Sequence, residues 1–368
     1  MTQNSSPTVV MAFASIAEYR TRCLQLVAEH FDGNVQILGG NIPWGTGIRL
    51  AEPAEVPYTL VTNRFMLGSR LLIQKLPLMG LLRTRTLLLD LNPRMPANWL
   101  LLTARRVARR RTLLWGHAWP RGGRNSRSDG LRGLMRRLAS ELVTYTEQQA
   151  DDLREMYPRK QVTAAPNSLY SADEMGFDAN SMRNSILYVG RLVDAKKPDL
   201  LVSAFELVAS DLPQLRLTIV GDGPARSILE RRIAETGFGE RIRLIGHESR
   251  PSVLRGYYSA AIASVSPGCA GLSITQSFGF GVPALIARDE PHGPEIEAAS
   301  EGFNALFFQS NDPGDLASGI RRAARQRSEV FADGAAIAES SIRRYSIEAM
   351  AAGLIQAIEG DERCLSTT

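Results

Sequence analysis

Short apolar runs alternate with longer amphipathic stretches along the chain. Thr8–Phe13, Val35–Leu38, Tyr58–Val61, Thr86–Leu91, Thr112–Trp115, Leu142–Tyr145 and Val162–Ala164 are rich in Val, Leu and aromatic residues and bounded by polar or turn residues. That is the pattern of strands buried on both faces. Most are separated by segments long enough for a crossover helix, which predicts a mostly parallel sheet covered on both sides. The same grammar restarts at Ser185–Val189 and continues through Arg216–Val220, Ile242–Leu244, Ala261–Val265 and Ala284–Ile286. Two doubly wound α/β units in tandem are therefore expected.

Between them, Pro166–Asn180 interrupts the apolar periodicity with Pro166, Asn167, Ser168, Ser171, Asp173 and Asn180, and reads as the linker. A last helix, about Ser346–Ile358, carries apolar residues at Ile347, Met350, Ala351, Leu354 and Ile355 with no strand after it. The expected organisation is one domain over 1–170, a second over 171–345, and a C-terminal helix in 346–368 docking back on the first.

Composition fits this picture. The 368 residues are 44% apolar and 22% charged, enough for two cores. Three cysteines, Cys23, Cys269 and Cys364, form no C-x-x-C, so neither a disulfide framework nor a zinc site is expected and a reducing cytosol fits best. No basic leader with a long apolar core and no run of eighteen apolar residues occurs, so a cytoplasmic location is expected.

Charge alters the picture more. The net value of +5 hides sixteen basic residues against two acids between Ser69 and Ser140. Such a concentration calls for an anionic partner. Ser69–Arg85 and Trp99–Arg111 mix bulky aliphatics with cations, the composition of a surface that enters a lipid headgroup layer. An anionic membrane is the expected partner, with the protein peripheral at the inner face of the cytoplasmic membrane. Nucleic acid is disfavoured because no interleaved aromatics or known binding module accompany the arginines.

Candidate chemistry lies in the second half. Ile186–Val189 runs into Gly190, Arg191 and Leu192, then Lys196 before a helix. This places two cations at the carboxyl end of a parallel strand, where a phosphate or diphosphate binds. Leu217–Val220 enters Gly221, Asp222, Gly223 and Pro224, a glycine turn whose N–H groups are expected to face an anion. Ser266-Pro267 opens a third loop, Gly268, Cys269, Ala270, Gly271 and Leu272, ahead of a helix that holds Gln276 and stops at Gly281-Val282-Pro283. No Asp-x-Asp pair accompanies these turns, and His30, His247 and His292 lack metal-ligand spacing, so no metal cofactor is expected.

These motifs, with Pro294-Glu295-Ile296-Glu297 leading to Glu301-Gly302, and with Leu114-Trp115-Gly116-His117 and Ala165-Pro166-Asn167-Ser168 in the first half, resemble the retaining glycosyltransferases of family 4. The resemblance implies the GT-B fold, two Rossmann-like domains facing across a cleft. It also implies transfer of a hexose from a nucleotide diphosphate sugar to a glycan or lipid-linked acceptor without metal. Arg191 and Lys196 would then stabilise the leaving diphosphate, with His117 completing the catalytic set from the first domain. Gly190, Gly221, Gly223, Gly268, Cys269, Ala270, Gly271, Leu272, Gln276 and Glu297 would bind the donor. The family's glutamate pair, eight apart, is replaced here by Gly268 and Gln276. Glutamine keeps an acceptor oxygen for the ribose, whereas glycine offers the donor sugar nothing. A catalytically silent relative that binds nucleotide sugar or glycan is thus one alternative, and a scaffold binding an anionic surface or nucleic acid is another.

Overall fold

Val, Leu and Ile runs buried on both faces build two parallel sheets in the computed structural model, which describes residues 8–43, 49–120, 123–124 and 126–360. Arg121, Cys364 and the residues before Thr8 lie outside the described residues. The chain divides into two units, Met1–Leu169 together with Ile347–Thr368, and Tyr170–Ser346.

The first unit contains β1 (Val9–Phe13), β2 (Val35–Gly40), β3 (Tyr58–Val61), β4 (Asn63–Met66), β5 (Leu71–Gln74), β6 (Thr86–Asp90), β7 (Arg111–Trp115), β8 (Glu141–Thr144) and β9 (Val162–Ala164). Seven strands pair in the order β3-β2-β1-β6-β7-β8-β9. All pairings in this sheet are parallel. The winding reverses between β1 and β6, where the carboxyl ends of neighbouring strands open a crevice.

The antiparallel β4–β5 hairpin departs from the alternating pattern expected of the sequence. A buried amide pair pins it over the end of β1. Gln74 Nε2 donates to Phe13 O at 2.9 Å and Asn63 Oδ1 at 3.0 Å, while Asn63 Nδ2 donates to Ala14 O at 2.7 Å. Leu72 turns inward against Ala14 and Met95, leaving Arg64, Met66, Leu67 and Ile73 exposed.

Part of the second expected membrane-facing stretch is structural, while Leu100, Arg106, Val107, Arg109 and Arg110 are exposed. In the helix Pro96–Val107, Leu101 and Leu102 are core residues and Arg105 is fully buried. Its guanidinium donates to the carbonyls of Leu81, Leu82, Thr84, Arg85 and Arg111 and to Thr112 Oγ1, tying loop ends that have no ladder partners. Arg136 is likewise buried against Asp129 and the Ala118 carbonyl. Long cationic side chains that brace backbone inside a fold cannot meet lipid.

Helix Ile347–Glu359 belongs to the first unit. Ile347, Met350, Ala351, Leu354, Ala357 and Ile358 share one core with Cys23, Leu24 and Val27 of helix Thr21–His30. Gly353 permits the approach, since a Cβ there would lie 2.2 Å from Ala164 O. Arg111, paired with Glu141, donates to Ala357 O and Ile358 O and closes the helix end.

The second unit orders its six strands β12-β11-β10-β13-β14-β15, from β10 (Ser185–Val189), β11 (Arg216–Val220), β12 (Ile242–Gly246), β13 (Ala261–Ser266), β14 (Ala284–Ala287) and β15 (Ala305–Phe308). The reversal falls between β10 and β13, so the turns after β10, β11 and β13 meet at one edge. Helices Pro198–Ala209 and Pro313–Arg325 cover one face, and Ser273–Gly279 and Gly334–Tyr345 the other.

Candidate functional site

In the second unit the turn after β10 carries Arg191, which is exposed, and Lys196, which closes a short 3-10 turn over Asp194–Lys196. Among the described residues no ion pair joins Arg191 to Asp194, so its guanidinium is not spent on its neighbour. Burial lowers the Lys196 ammonium from its ordinary range; Cys269 and Glu295 act to restore it, while Arg191 opposes. Lys197 is occupied elsewhere, paired with Glu290 at 2.5 Å and donating to Asn311 at 2.6 Å.

The glycines of the second turn serve packing. A Cβ on Gly221 would stand 1.8 Å from Gly190 O, and one on Gly223 2.3 Å from Leu192 O. Backbone bonds lace the two turns: Gly190 N–H donates to Val220 O, and Leu192 N–H to Asp222 O. The expectation that these N–H groups face an anion fails for Gly221, which donates to Gly246 O, and for Gly223, which donates to the Asp222 carboxylate. Their contribution is to hold the Arg191 turn against its neighbour.

The third loop is fastened to the same turn. Cys269 N–H donates to Ala195 O at 2.9 Å, and a Cβ on Gly268 would lie 2.4 Å from that oxygen. Ala270 N–H donates to His292 Nδ1 at 3.1 Å, and His292 Nε2 donates to Ala287 O at 2.8 Å. This fixes the tautomer, and burial lowers the imidazole's pKa so that it stays neutral. Gln276 is buried, its Nε2 donating to the Tyr170 hydroxyl at 2.8 Å, which leaves its oxygen as the acceptor.

Glu297 has a partner in the second unit's packing. Its carboxylate accepts from Tyr345 OH at 3.0 Å, in the packing of helix Gly334–Tyr345. The nearby carboxylate is Glu295, two residues earlier and 6% exposed, whose Oε2 lies 3.8 Å from the Cβ position of Gly271. In a 3-10 turn such as Pro294–Ala298, residues two apart point to different sides.

In the first unit His117 follows β7 and is exposed, its ring edge-on to Tyr145 at 4.7 Å. Arg132 Nη1 donates to the His117 and Leu91 carbonyls, holding the loop. Around the ends of β1, β6 and β8 lie Arg20, Asp90 and Tyr145. Arg20 Nη2 donates to Tyr145 OH at 2.7 Å, and Ala14 N–H donates to Asp90 Oδ2 at 2.5 Å. Burial pushes the Asp90 carboxyl up to about 6 against the opposing pull of Ala14 N–H and Arg20.

Residues 172–335 match the family described as glycosyl transferases group 1. The matched residues lie within the second unit, which is similar to the group 1 glycosyltransferases. Over 150 residues the chain is 33% identical to the GtfA subunit of UDP-N-acetylglucosamine–peptide N-acetylglucosaminyltransferase from Streptococcus gordonii, covering 40% of this chain and 29% of that protein. Over 212 residues it is 28% identical to a D-inositol 3-phosphate glycosyltransferase from Nocardiopsis dassonvillei, covering 50% and 48%. These matches span less than half of the relatives' length. Among solved structures, Anabaena HepE in complex with UDP superposes with a TM-score of 0.69 at 14% identity, covering 96% of this chain and 99% of that one. The chain has the GT-B fold, two Rossmann-like parallel sheets with helices.

Within the second unit the structure brings together the three turns singled out in the sequence and adds His292, whose signal is a histidine just before Gly293-Pro294. Tyr170 was missed because its partner lies 106 residues away. Outside that unit, Arg20 and Asp90 gave no motif at all; only the topology brings them together.

Proposed function

We propose that the chain is a metal-independent retaining glycosyltransferase that moves a hexose from a nucleotide diphosphate sugar to a glycan or lipid-linked acceptor in cell-surface glycoconjugate synthesis. The observation that carries this reading is the Arg191 and Lys196 turn, locked to the Gly268–Leu272 loop at the carboxyl edge of the second unit's sheet. The anomeric C–O bond breaks and its electrons pass to the diphosphate, whose developing charge the two cations stabilise. The acceptor hydroxyl attacks from the same face and gives its proton to the leaving phosphate oxygen, which preserves the anomeric configuration. Cations already fill the role a divalent metal would take. Gln276 would hold the ribose through its side-chain oxygen. HepE structures in complex with UDP and with UDP-glucose support the nucleotide-sugar reading.

We place the protein peripherally on an anionic membrane through the β4–β5 hairpin. Leu67 at its tip is 74% exposed and Met79 on the following helix 63%. Arg64, Arg70, Lys75, Arg83 and Arg85 occur in the same stretch of chain, and no acid occurs from Val56 to Leu89. Among the described residues no helix is long and apolar enough to cross a membrane.

A binder without transfer is the second reading, favoured by the missing carboxylate at Gly268. One assay separates the two. The full chain is incubated with UDP-, GDP- and dTDP-sugars and a lipid extract, with and without EDTA. Release of nucleoside diphosphate from one donor, indifferent to EDTA and with retained anomeric configuration by NMR, is expected. Donor binding without release supports the binder; release that requires added Mg²⁺ overturns metal independence.

A further inference from the structure

The first unit holds a cation, Arg20, that no ion pair ties down among the described residues, although the buried Asp90 carboxylate attracts it from farther away. Arg20 follows β1 at the point where the sheet's winding reverses, and its guanidinium carbon lies 4.5 Å from the Trp115 ring centroid and 5.3 Å from that of Tyr145. Its one hydrogen bond among the described residues goes to a neutral hydroxyl, Tyr145 OH. No ion pair ties it to a carboxylate there; Asp90 acts on it from farther away and spends an oxygen on Ala14 N–H. Two N–H donors of this group are buried without partners, Arg20 Nε and the Nε1 of Trp115, a side chain only 1% exposed.

A guanidinium withdrawn from water and faced by aromatic rings retains strong demand for acceptor oxygens, and an unpaired buried donor costs more than a hydrogen bond returns. Arginine's planar fork matches the two oxygens of a phosphate or carboxylate. The way in is marked by His117, which is exposed and touches the same Tyr145 ring. The two unpartnered donors of the cluster, Arg20 Nε and Trp115 Nε1, each call for an acceptor oxygen, and an oxyanion supplies a more strongly accepting one than a sugar hydroxyl.

We infer that Arg20, Trp115 and Tyr145 form an anion subsite in the first unit, and that the acceptor carries a phosphate or carboxylate which this subsite receives. The word acceptor rests on the proposed function; the anion subsite itself does not.

Inorganic phosphate tests it, read by Trp115 fluorescence in the Arg191→Ala/Lys196→Ala double variant, so that phosphate at the second unit is silent. Saturable quenching is expected, absent in Trp115→Phe and weakened at least tenfold in Arg20→Met. Vesicles containing phosphatidic acid that displace the phosphate assign the anion to a lipid-borne acceptor. Displacement by a soluble sugar phosphate alone assigns it to a soluble one. No quenching in the double variant, or equal phosphate affinity with folded Arg20→Met, overturns the inference. Should Arg20→Met lose its cooperative melt, the double variant and Trp115→Phe still decide. Failure here with nucleoside diphosphate binding intact in the wild type leaves the proposed transferase standing.

Discussion

A Cβ on Gly268 would stand 2.4 Å from the carbonyl oxygen of Ala195 and 2.7 Å from the carbonyl carbon of Lys196. The position where the family places a glutamate is thus pressed against the turn that carries the phosphate cations. Gly268→Ala is expected to push the loop off that turn and lower the melting temperature, with loss on the order of 1–3 kcal/mol. Gly268→Glu should do the same and should not raise turnover. A Gly268→Glu enzyme that is stable and faster would show that the loop yields and that the lost carboxylate was the limiting feature.

Asp90 links the first unit to pH. Its folded pKa of about 6 lies above the usual carboxyl value, so the folded form holds this proton more tightly. Its contribution to stability is complete below about pH 4 and declines as pH rises through 6. Asp90→Asn keeps an acceptor for Ala14 N–H without the charge. Wild type should therefore lose ground to this variant between pH 4 and pH 7, on the order of 3 kcal/mol, in urea unfolding. A difference that does not change with pH would remove Asp90's burial as the cause.

Gln276 and Tyr170 act as a pair. Gln276→Leu strands a buried Tyr170 hydroxyl and removes the ribose acceptor, so the nucleotide dissociation constant should rise about tenfold with about 1 kcal/mol lost in stability. Gln276→Glu keeps an acceptor and should be tolerated. Tyr170→Phe frees the amide without removing it and should cost only a few-fold in affinity. Equal nucleotide affinity for the wild type and the Gln276→Leu variant, by calorimetry, would remove this residue from the site.

How legible was this in the sequence? The strands whose residues are buried on both faces, such as β1 and β11, announce themselves because apolar residues fill nearly every position. The hairpin did not, since Asn63 and Gln74 are polar residues used as core, bonded across the sheet end. Arginine is the sharper lesson. Composition treats all sixteen cations of the basic stretch alike, yet Arg105 sits at zero exposure with its charge spread over backbone carbonyls. Only three-dimensional contacts separate such a brace from Arg70 or Arg85 on the surface.

That separation sharpens the membrane prediction. Each surface cation near an anionic leaflet adds about 1 kcal/mol, and Leu67 and Met79 would enter the headgroup layer. Cosedimentation with phosphatidylglycerol vesicles should be strong at low salt and lost at about 1 M, where the screening length falls to about 3 Å. Leu67→Glu/Met79→Glu should weaken it at least tenfold. Binding unaffected by this variant, or indifferent to salt, would leave the hairpin a solvated face.

The account turns on the diphosphate clamp, and titration calorimetry of the full chain with UDP, GDP and dTDP tests it most directly. One of the three is expected to bind, with affinity reduced at least tenfold in Arg191→Ala and in Lys196→Ala, each removing a charge-assisted contact. Failure of all three to bind the wild type, or binding that both variants keep unchanged, would contradict it.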